Sequence, residues 1–313
     1  MQQRNAITAV LFDANGEDRV VDPLNHVDQV PDEQIYWLIA TGECTGAIPG
    51  LPPELLQRRP RGGVSVEGDS FSFTVPAAPN PAGFSDDEMT FHVGKNWLVT
   101  TSDRPLALTR DYLDNDTGQT LKGSLTAPAL AVSLLLAHFG MIHRELAQIS
   151  EKLDVLDDEV FRARQRHDPL VTLAVLRRQA ARIRAVVASH RSVIAALDRP
   201  DFSPAVCDED CDHLEHLAEA YHRLVDTVER TREAVLSSYD LYATRVAQDT
   251  NRLLERLTVI TIGIGLIGAI GGIFGMNFEL GLFKAGEPPF WSVVSVMAVI
   301  ALATLLIAMR RRA

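Results

Sequence analysis

The densest group of metal-ligating residue types in the sequence lies between Cys207 and His216, which reads CDEDCDHLEH. Thiolates and imidazoles favour Zn²⁺ and similar ions, whereas carboxylates favour Mg²⁺. The spacing is not that of a closed zinc site, and acids also suit a helix start, where the helix dipole favours them. The helix-start interpretation is the stronger one, but a metal-sensing cluster stays open, with these candidate ligands: Asp208, Asp210, Asp212, His213 and His216.

A second candidate is Asn277, whose side chain offers a neutral oxygen at the end of a long apolar run. Residues 257–277 read LTVITIGIGLIGAIGGIFGMN and contain no Asp, Glu, Lys, Arg or His. A transmembrane helix needs about 20 mainly apolar residues, so this run is long enough to span a bilayer. A second apolar run, residues 290–309, follows a short loop of residues 278–289. The sequence therefore predicts two C-terminal membrane helices.

Basic residues set the expected orientation of these helices. Arg252 and Arg256 precede the first run, Arg310 to Arg312 follow the second, and the loop carries one lysine against Glu279 and Glu287. By the positive-inside rule both ends are cytoplasmic, including the basic tail of residues 310–313, and the loop is external. Because two spans cannot surround a pore, a channel built from this chain must be a ring of subunits.

Composition narrows the class of protein. The formal net charge of −11 argues against a nucleic-acid partner. Three cysteines do not make a disulfide framework, which favours a reducing compartment. The N-terminus lacks the pattern of a signal peptide, so targeting to the inner, cytoplasmic membrane is expected to come from the C-terminal helices. No phosphate loop or nucleophile elbow is visible, so neither an enzyme nor a catalytic cofactor is expected.

The first 120 residues predict a small cytoplasmic α/β domain with a mostly antiparallel sheet. Pro31 to Thr41 is interpreted as a short helix because proline and acids occupy its first turn. Pro52 to Arg58 is a further candidate helix, and Pro76 to Asp87 is expected to be a loop. The predicted strands, which include two hairpins, are Ala6 to Phe12, Gly63 to Val66, Ser70 to Val75, Glu88 to Val93 and Trp97 to Thr101.

Residues 121–256 predict long cytoplasmic helices. An apolar stripe at spacings of three and four indicates an amphipathic helix from Thr126 to Arg164, and a second helix follows from Leu170 to Leu197. A third helix begins near Asp208 and runs without a proline into the first membrane segment. Its apolar stripe is Leu214, Leu217, Tyr221, Leu224, Val228, Val235, Tyr242 and Val246. We call this third helix the stalk. A helix of this length needs the two preceding helices, and copies of itself, to bury its apolar stripe.

The tripeptide Gly275-Met276-Asn277, followed by Phe278 at the outer end of the first span, resembles the signature of the CorA family of divalent-cation channels. The α/β domain, the continuous stalk, the two spans and the basic tail extend the resemblance over essentially the whole chain. It implies an α+β cytoplasmic domain, a long stalk helix and two C-terminal transmembrane helices, assembled as a funnel-shaped homopentamer in the lipid bilayer. Divalent cations would be both substrate and regulator, with Mg²⁺ first and Co²⁺, Ni²⁺ or Zn²⁺ next.

The resemblance also implies a selectivity filter at Gly275, Met276 and Asn277. Mg²⁺ gives up its hydration shell reluctantly, so a mouth lined by neutral oxygens can select the hydrated ion. Glu279 and Glu287 would concentrate cations at this mouth, or they are ordinary solvated charges of the loop.

Helical spacing places a candidate pore stripe on the first span. Asn251 resembles the family's asparagine near the cytoplasmic mouth, and two leucines resemble its hydrophobic gate, although leucines here could instead pack between subunits. The predicted pore and gate residues are Asn251, Leu254, Leu257, Thr258, Gly265 and Gly268. Gly268 and Gly272 also form a small-xxx-small pair that would allow close helix approach. Leu266 stands where the family usually has a proline, which leaves the pore constriction open.

Glycine spacing inside the same run formally matches a dinucleotide fingerprint, GIGLIG at residues 263–268. No strand and turn precede it, and it lies within a charge-free run of membrane length, so a nucleotide site is rejected. His138, His143 and His190 are interpreted as packing or surface residues of helices rather than as ligands.

Two alternatives to a metal-gated channel stay open. A proton-coupled zinc transporter of the same superfamily shares the two-span layout, and the Cys/His cluster favours it. A membrane-anchored coiled-coil sensor or scaffold would have the stalk and no pore. Ion, direction and energy coupling are not decided by the sequence.

Overall fold

The computed structural model describes residues 6–13, 18–22, 30, 34–42, 60, 63–77, 87–114, 126–161, 169–199, 201–202, 208–275 and 287–310. The chain forms two units, Met1–Ser238 and Tyr239–Ala313. The candidate helix Pro52 to Arg58 and most of the loop Pro76 to Asp87 lie outside the described residues.

The first unit contains a seven-stranded sheet in the order β2-β1-β3-β7-β6-β5-β4. Its pairings are antiparallel except for β3 with β7, which run parallel. The prediction of a mostly antiparallel sheet is therefore confirmed. The strands are β1 Ala6–Asp13, β2 Arg19–Val21, β3 Gln34–Thr41, β4 Val64–Glu67, β5 Ser70–Pro76, β6 Glu88–Val93 and β7 Trp97–Ser102.

Both predicted hairpins are present, and each uses a glycine for a specific reason. In the β4–β5 turn Gly68 has a φ of 59°, a left-handed conformation that glycine adopts without steric cost. In the β6–β7 turn the Trp97 ring lies against Gly94, in the space that a Cβ would need. The Gly94 amide donates to the Trp97 carbonyl at 2.9 Å, which closes this hairpin.

The prediction of a helix from Pro31 to Thr41 is wrong. Gln34–Thr41 is the strand β3, which pairs with β1 on one side and β7 on the other. Every residue from Ile35 to Thr41 is buried. A strand buried on both faces shows no polar–apolar alternation, so its continuous apolar run resembles a buried helix by periodicity. The β-branched and aromatic residues of IYWLI carried the correct signal.

Two elements were not predicted. The strand β2 is only three residues long, and the helix α1, Ala107–Asp114, follows the last strand directly. Tyr112 of α1 contacts Trp37 of the sheet edge-on at a centroid distance of 5.7 Å. The Trp37 indole also donates to the Thr100 hydroxyl at 3.1 Å, so this buried polar group is satisfied.

Strand alternation gives the sheet two different faces. The aromatic face carries Phe73 stacked on Phe91, and Phe71 in edge contact with Phe202, which lies just beyond a long helix. The opposite face carries the apolar cluster Ala9, Leu11, Tyr36, Leu38 and Val99. His92 pairs in register with Val99 and so belongs to this second face.

The long helices match the prediction closely. They are α2 Ala127–Phe161, α3 Pro169–Leu197, α4 Asp208–Gly275 and α5 Glu287–Arg310. At the start of α2 the Thr126 hydroxyl accepts from the Ala129 amide at 3.1 Å, as an N-cap does. The predicted stripe of α2 is buried throughout: Leu130, Leu134, His138, Ile142, Leu146, Ile149, Leu153, Leu156 and Val160.

The first part of α4 packs against α2 and α3 through a seam with coiled-coil spacing. Tyr221 donates its hydroxyl to the Val187 carbonyl of α3 at 3.2 Å, and Ser238 donates to Asp157 of α2 at 3.0 Å. The seam ends at Ser238, whereas the predicted stripe continued to Val246, which is exposed. The buried seam positions of α4 are Leu217, Tyr221, Leu224, Val228, Thr231, Val235 and Ser238.

Candidate cation pathway

The part of α4 beyond the seam exposes its apolar side chains. The window Asp212–Ile273 contains a stretch apolar and long enough to cross a membrane, and 6% of it is buried. The α2 stretch that passes the same test is 56% buried, as a core helix is. Exposed apolar surface on this scale must be covered by lipid or protein. The large exposed side chains of this part are Val246, Leu253, Leu254, Leu257, Ile260, Ile262, Ile264, Leu266 and Ile273.

The predicted pore residues lie on this exposed part of α4. Leu254 and Leu257 are 55% and 59% exposed, and Asn251 and Thr258 are also exposed. The Thr258 hydroxyl donates to the Leu254 carbonyl at 2.8 Å, so it is satisfied within its own helix. Asn251, Leu254 and Thr258 follow each other at spacings of three and four, which puts them on one helix face.

The glycines of α4 differ in their surroundings, since some have no described neighbours and one packs closely against α5. A Cβ at Gly265, Gly268 or Gly272 would meet no described atom within 4 Å. Within the described chain, the predicted close approach at Gly268 and Gly272 is therefore not made.

The close approach occurs at Gly263 instead. A Cβ there would lie 2.6 Å from Cγ2 of Thr304 on α5. Gly263 is buried while its neighbours on α4 are exposed. The Thr304 hydroxyl bonds to the Ile300 carbonyl at 3.0 Å, so the Thr304 methyl group remains to face α4. Among the described glycines, Gly263 is the one at which α4 approaches α5 most closely, and a Cβ at Gly271 would lie 3.9 Å from Cε of Met297.

The predicted filter begins where the described part of α4 ends. Gly275 is the last residue of the helix, and Met276, Asn277 and Glu279 lie outside the described residues. Glu287 is the first residue of α5, with a side chain that is also outside them. The filter and the cation-attracting loop therefore stay predictions.

Charged side chains before the apolar segment are paired along the helix. Asp249 accepts from Arg252 at 3.4 Å and lies 3.6 Å from Arg245. Exposed pairs of this kind contribute little stability, about 0–1 kcal/mol each. Charged residues of both signs, the last of them Glu255 and Arg256, thus precede the charge-free run that begins at Leu257.

The candidate metal cluster lies at the start of α4. The side chains of Asp208 and Asp210 lie outside the described residues, whereas Asp212, His213 and His216 are exposed. The His216 Nδ1 donates to the Asp212 carbonyl one turn back, at 2.7 Å. In the part of the chain that the structure describes, no three histidine, cysteine or acidic side chains converge on a metal position. Metal sensing here stays a prediction.

Two of the helix histidines are brought together in the core. His138 of α2 and His190 of α3 are both fully buried, and their Nε2 atoms are 3.0 Å apart. His143 is exposed. Burial lowers the pKa of His138 well below the ordinary value, with a further lowering from His190. Burial also lowers the pKa of His190 to about 4, against an opposing hydrogen bond to Val186. Their pairing was missed because no local sequence signal joins residues so far apart.

Comparison with known proteins places these features in one family. The family model described as "CorA-like Mg2+ transporter protein" matches residues 26–311. The cobalt/magnesium transport protein CorA of Thermotoga maritima is 30% identical over 158 residues, which cover 50% of this chain and 44% of that protein. The divalent cation transporter CmaX of Pseudomonas aeruginosa is 26% identical over 220 residues, 68% of this chain and 64% of that protein. The alignments thus span less than two thirds of these relatives.

The fold is similar to that of a complete transporter structure. The CorA magnesium transporter of Methanocaldococcus jannaschii superposes with a TM-score of 0.72 at 21% identity, covering 96% of each chain. At this identity the likeness concerns the fold. It includes both the sheet-containing part and the long helices, because almost the whole of each chain is matched.

Proposed function

This chain belongs to the CorA-like Mg²⁺ transporter family, and from that membership we propose that it forms a homopentameric pore for divalent cations in the cytoplasmic membrane. The observation that carries the proposal is the continuity of α4, one helix from Asp208 to Gly275. Its first part belongs to the buried seam, and its last part exposes an apolar surface that ends at the Gly-Met-Asn tripeptide. The proposed spans are residues 257–277 and 290–309.

Self-assembly accounts for the two kinds of surface on the last part of α4. Lipid covers apolar side chains well, but its hydrocarbon chains cannot form hydrogen bonds with an asparagine side chain. They also leave no passage for ions. A ring of copies would place Asn251, Leu254, Thr258, Gly265 and Gly268 toward a central axis. The small residues Gly265 and Gly268 support this arrangement, because they would keep the passage wide.

The transport mechanism follows from the chemistry of the two ends of this stripe. At the outer end, a ring of Asn277 oxygens would hold a hydrated divalent cation without stripping its waters. Nearer the cytoplasm, rings of Leu254 and Leu257 would block ions by excluding water when they approach each other. Opening then requires the leucines to separate, and the continuous helix can transmit movement to them from the stalk.

Mg²⁺ and Co²⁺ are the proposed substrates. The support is the name of the Thermotoga relative, a cobalt/magnesium transport protein, together with the oxygen-only chemistry of Asn277. A role of cytosolic metal as regulator would use the acidic start of α4, where like charges on neighbouring copies repel until a divalent ion bridges them. Bound metal then favours the closed ring to the extent of its differential affinity for the two states.

The central test is cation flux into proteoliposomes that contain the full chain. We expect Asn277→Ala to reduce Mg²⁺ and Co²⁺ flux at least tenfold without changing the oligomer, because it removes ion-binding oxygens and no packing. Asn96→Ala, in the β6–β7 turn, is the matched control and should conduct like the parent. Undiminished flux in Asn277→Ala would remove the filter assignment.

The same assay separates the alternatives. Zn²⁺ flux that requires a proton gradient would favour the proton-coupled zinc transporter, and no flux of any divalent cation would favour a scaffold. For regulation, joint replacement of Asp208, Asp210 and Asp212 by asparagine should keep the pore open at internal metal concentrations that close the parent. An unchanged closing curve would locate regulation elsewhere.

A further inference from the structure

The hydrogen bonds of the buried histidine pair determine where its protons are. The His190 Nδ1 lies 2.7 Å from the Val186 carbonyl, and because a carbonyl only accepts, this nitrogen carries a proton. In a neutral ring the His190 Nε2 is then an acceptor. The His138 Nε2, 3.0 Å away, must therefore be the donor. The remaining nitrogen, His138 Nδ1, carries a lone pair and has no hydrogen-bond partner among the described residues.

The described residues around the pair offer no compensation for a positive charge. On α2 the adjacent ring is Phe139, whose centroid is 5.7 Å from His190 in an edge contact. On α4 the facing titratable group is Tyr221, whose hydroxyl is engaged with the Val187 carbonyl. On α3 the next residue, Arg191, is exposed. His92 of β6 lies on the sheet face opposite the Phe71–Phe202 contact. No carboxylate is among the described contacts of either imidazole.

The aromatic rings around the histidine pair contact one another across α2, α3 and α4. Phe139 contacts His190 of α3 and also Tyr221 of α4, at a centroid distance of 6.1 Å. His190 and Tyr221 bond to the consecutive carbonyls of Val186 and Val187. A movement of either imidazole would therefore disturb the contact between α3 and the stalk. We call the set His138, Phe139, His190 and Tyr221 the ring cluster.

We propose that the His138–His190 pair is a proton-sensitive latch of the helical seam, closed while both imidazoles are neutral and released when the pair takes up a proton. A proton added at His138 Nδ1 would put a charge in a buried site where no described residue accepts a hydrogen bond from it, which is costly. A proton added at His190 Nε2 would leave two donors facing each other. Either event favours an open seam in which water can reach the imidazoles.

The expected pH dependence has a definite sign. Histidines buried as neutral groups have folded-state pKa values below the ordinary value of about 6.5. Above that pH they do not affect stability, and as pH falls below it the unfolded chain takes up protons that the folded chain does not. Stability is therefore lost as pH falls from about 6.5 toward the folded-state value. The unfolding equilibrium constant rises about tenfold per pH unit for each such histidine.

The test compares unfolding of the detergent-solubilised full chain between pH 7.5 and pH 5. In the parent, the two histidines together should raise the unfolding constant up to about a hundredfold for each pH unit of acidification. The variant His138→Leu/His190→Leu should lose this rise, because both titrating groups are gone. His143→Leu removes an exposed histidine from the same helix and should keep the parent's dependence. A double leucine variant with the parent's pH dependence would overturn the latch.

A second measurement needs no substitution in the core. Nitrogen NMR of histidine-labelled parent protein should show His138 protonated at Nε2 and His190 at Nδ1 at neutral pH. Both should stay neutral at pH 5.5 in the protected state, and amide protection of α2 and α3 around the ring cluster should fall on acidification. Protonation of His138 at pH 5.5, at unchanged amide protection, would overturn the proposal.

An effect of the latch on transport rests on the proposed function and is measured separately. If the chain conducts, cation flux should depend on cytosolic pH in the parent and lose that dependence in the double leucine variant. If cation flux depends on pH in the same way in the parent and in the double leucine variant, the latch does not control transport. If the chain does not conduct cations but loses amide protection on acidification, the latch is supported and the proposed pore is refuted.

Discussion

The two parts of α4 differ in how far their apolar side chains are buried. In the first unit, Leu224 is 0% exposed and Val228 is 3% exposed, because α2 and α3 cover that face. In the second unit, Leu253 and Ile264 are 61% and 66% exposed. The first part alternates an apolar seam with a polar face, whereas the charge-free run of the second part is apolar on all sides.

Buried polar residues lie near the end of the seam that α4 forms with α2 and α3. Thr231 is buried and donates to the Thr227 carbonyl at 2.9 Å, and Ser238 is buried and donates to Asp157 at 3.0 Å. Buried hydroxyls need such partners because an unsatisfied one is costly. The first part of α4 thus ends on a satisfied polar contact, whereas the second part has apolar side chains that the described chain leaves exposed.

The largest expected effect contrasts two leucines of this helix. Leu224→Ala should lower the free energy of unfolding by about 2–5 kcal/mol, because it leaves a cavity in a closed core. Leu254→Ala removes an exposed side chain and should change that free energy by less than about 0.5 kcal/mol, while altering flux if it lines the gate. Denaturant unfolding of both variants, followed by tryptophan fluorescence, checks the difference. Equal losses would mean that the two parts are covered alike.

An intermediate effect is expected at the contact between α4 and α5. Gly263→Val should destabilise the second unit by about 1–3 kcal/mol, because its side chain collides with the Thr304 methyl group. Gly272→Val, where a Cβ meets no described atom, is the matched control. Adding Thr304→Ser to Gly263→Val removes the colliding methyl and should restore part of the loss. Thermal unfolding in detergent measures all three, and a Gly272→Val loss as large as that of Gly263→Val would contradict the assignment.

The smallest effect concerns the polar end of the seam. Ser238→Ala should cost about 1 kcal/mol, because it removes a donor from the half-buried Asp157. The neighbouring Ser237 is exposed, so Ser237→Ala should be neutral within about 0.5 kcal/mol. Ser238→Thr keeps the hydroxyl and should recover most of the stability. Matching unfolding midpoints for Ser237→Ala and Ser238→Ala would show that the seam ends earlier than Ser238.

Local features made much of the architecture predictable from the sequence. The stripe of α2, the unbroken α4, both hairpins and the charge-free run depend on neighbouring residues, because helix and strand periods are properties of short stretches. The tripeptide Gly275-Met276-Asn277 at the end of that run also gave the family correctly. The pore, filter and metal residues stay predictions, since their chemistry is completed by atoms outside the described chain.

Contacts between distant residues were decided only in the tertiary structure. Gln34–Thr41 is a strand whose two edges pair with β1 and β7. Its apolar periodicity does not show that pairing, although its β-branched and aromatic residues favour a strand. The stalk stripe ends at Ser238 because its cover from α2 and α3 ends there. His138 and His190, 52 residues apart, share a proton-bearing contact that only helix packing creates. The sequence by itself determined which stretches are apolar and helical, and tertiary packing decided which of them the chain covers.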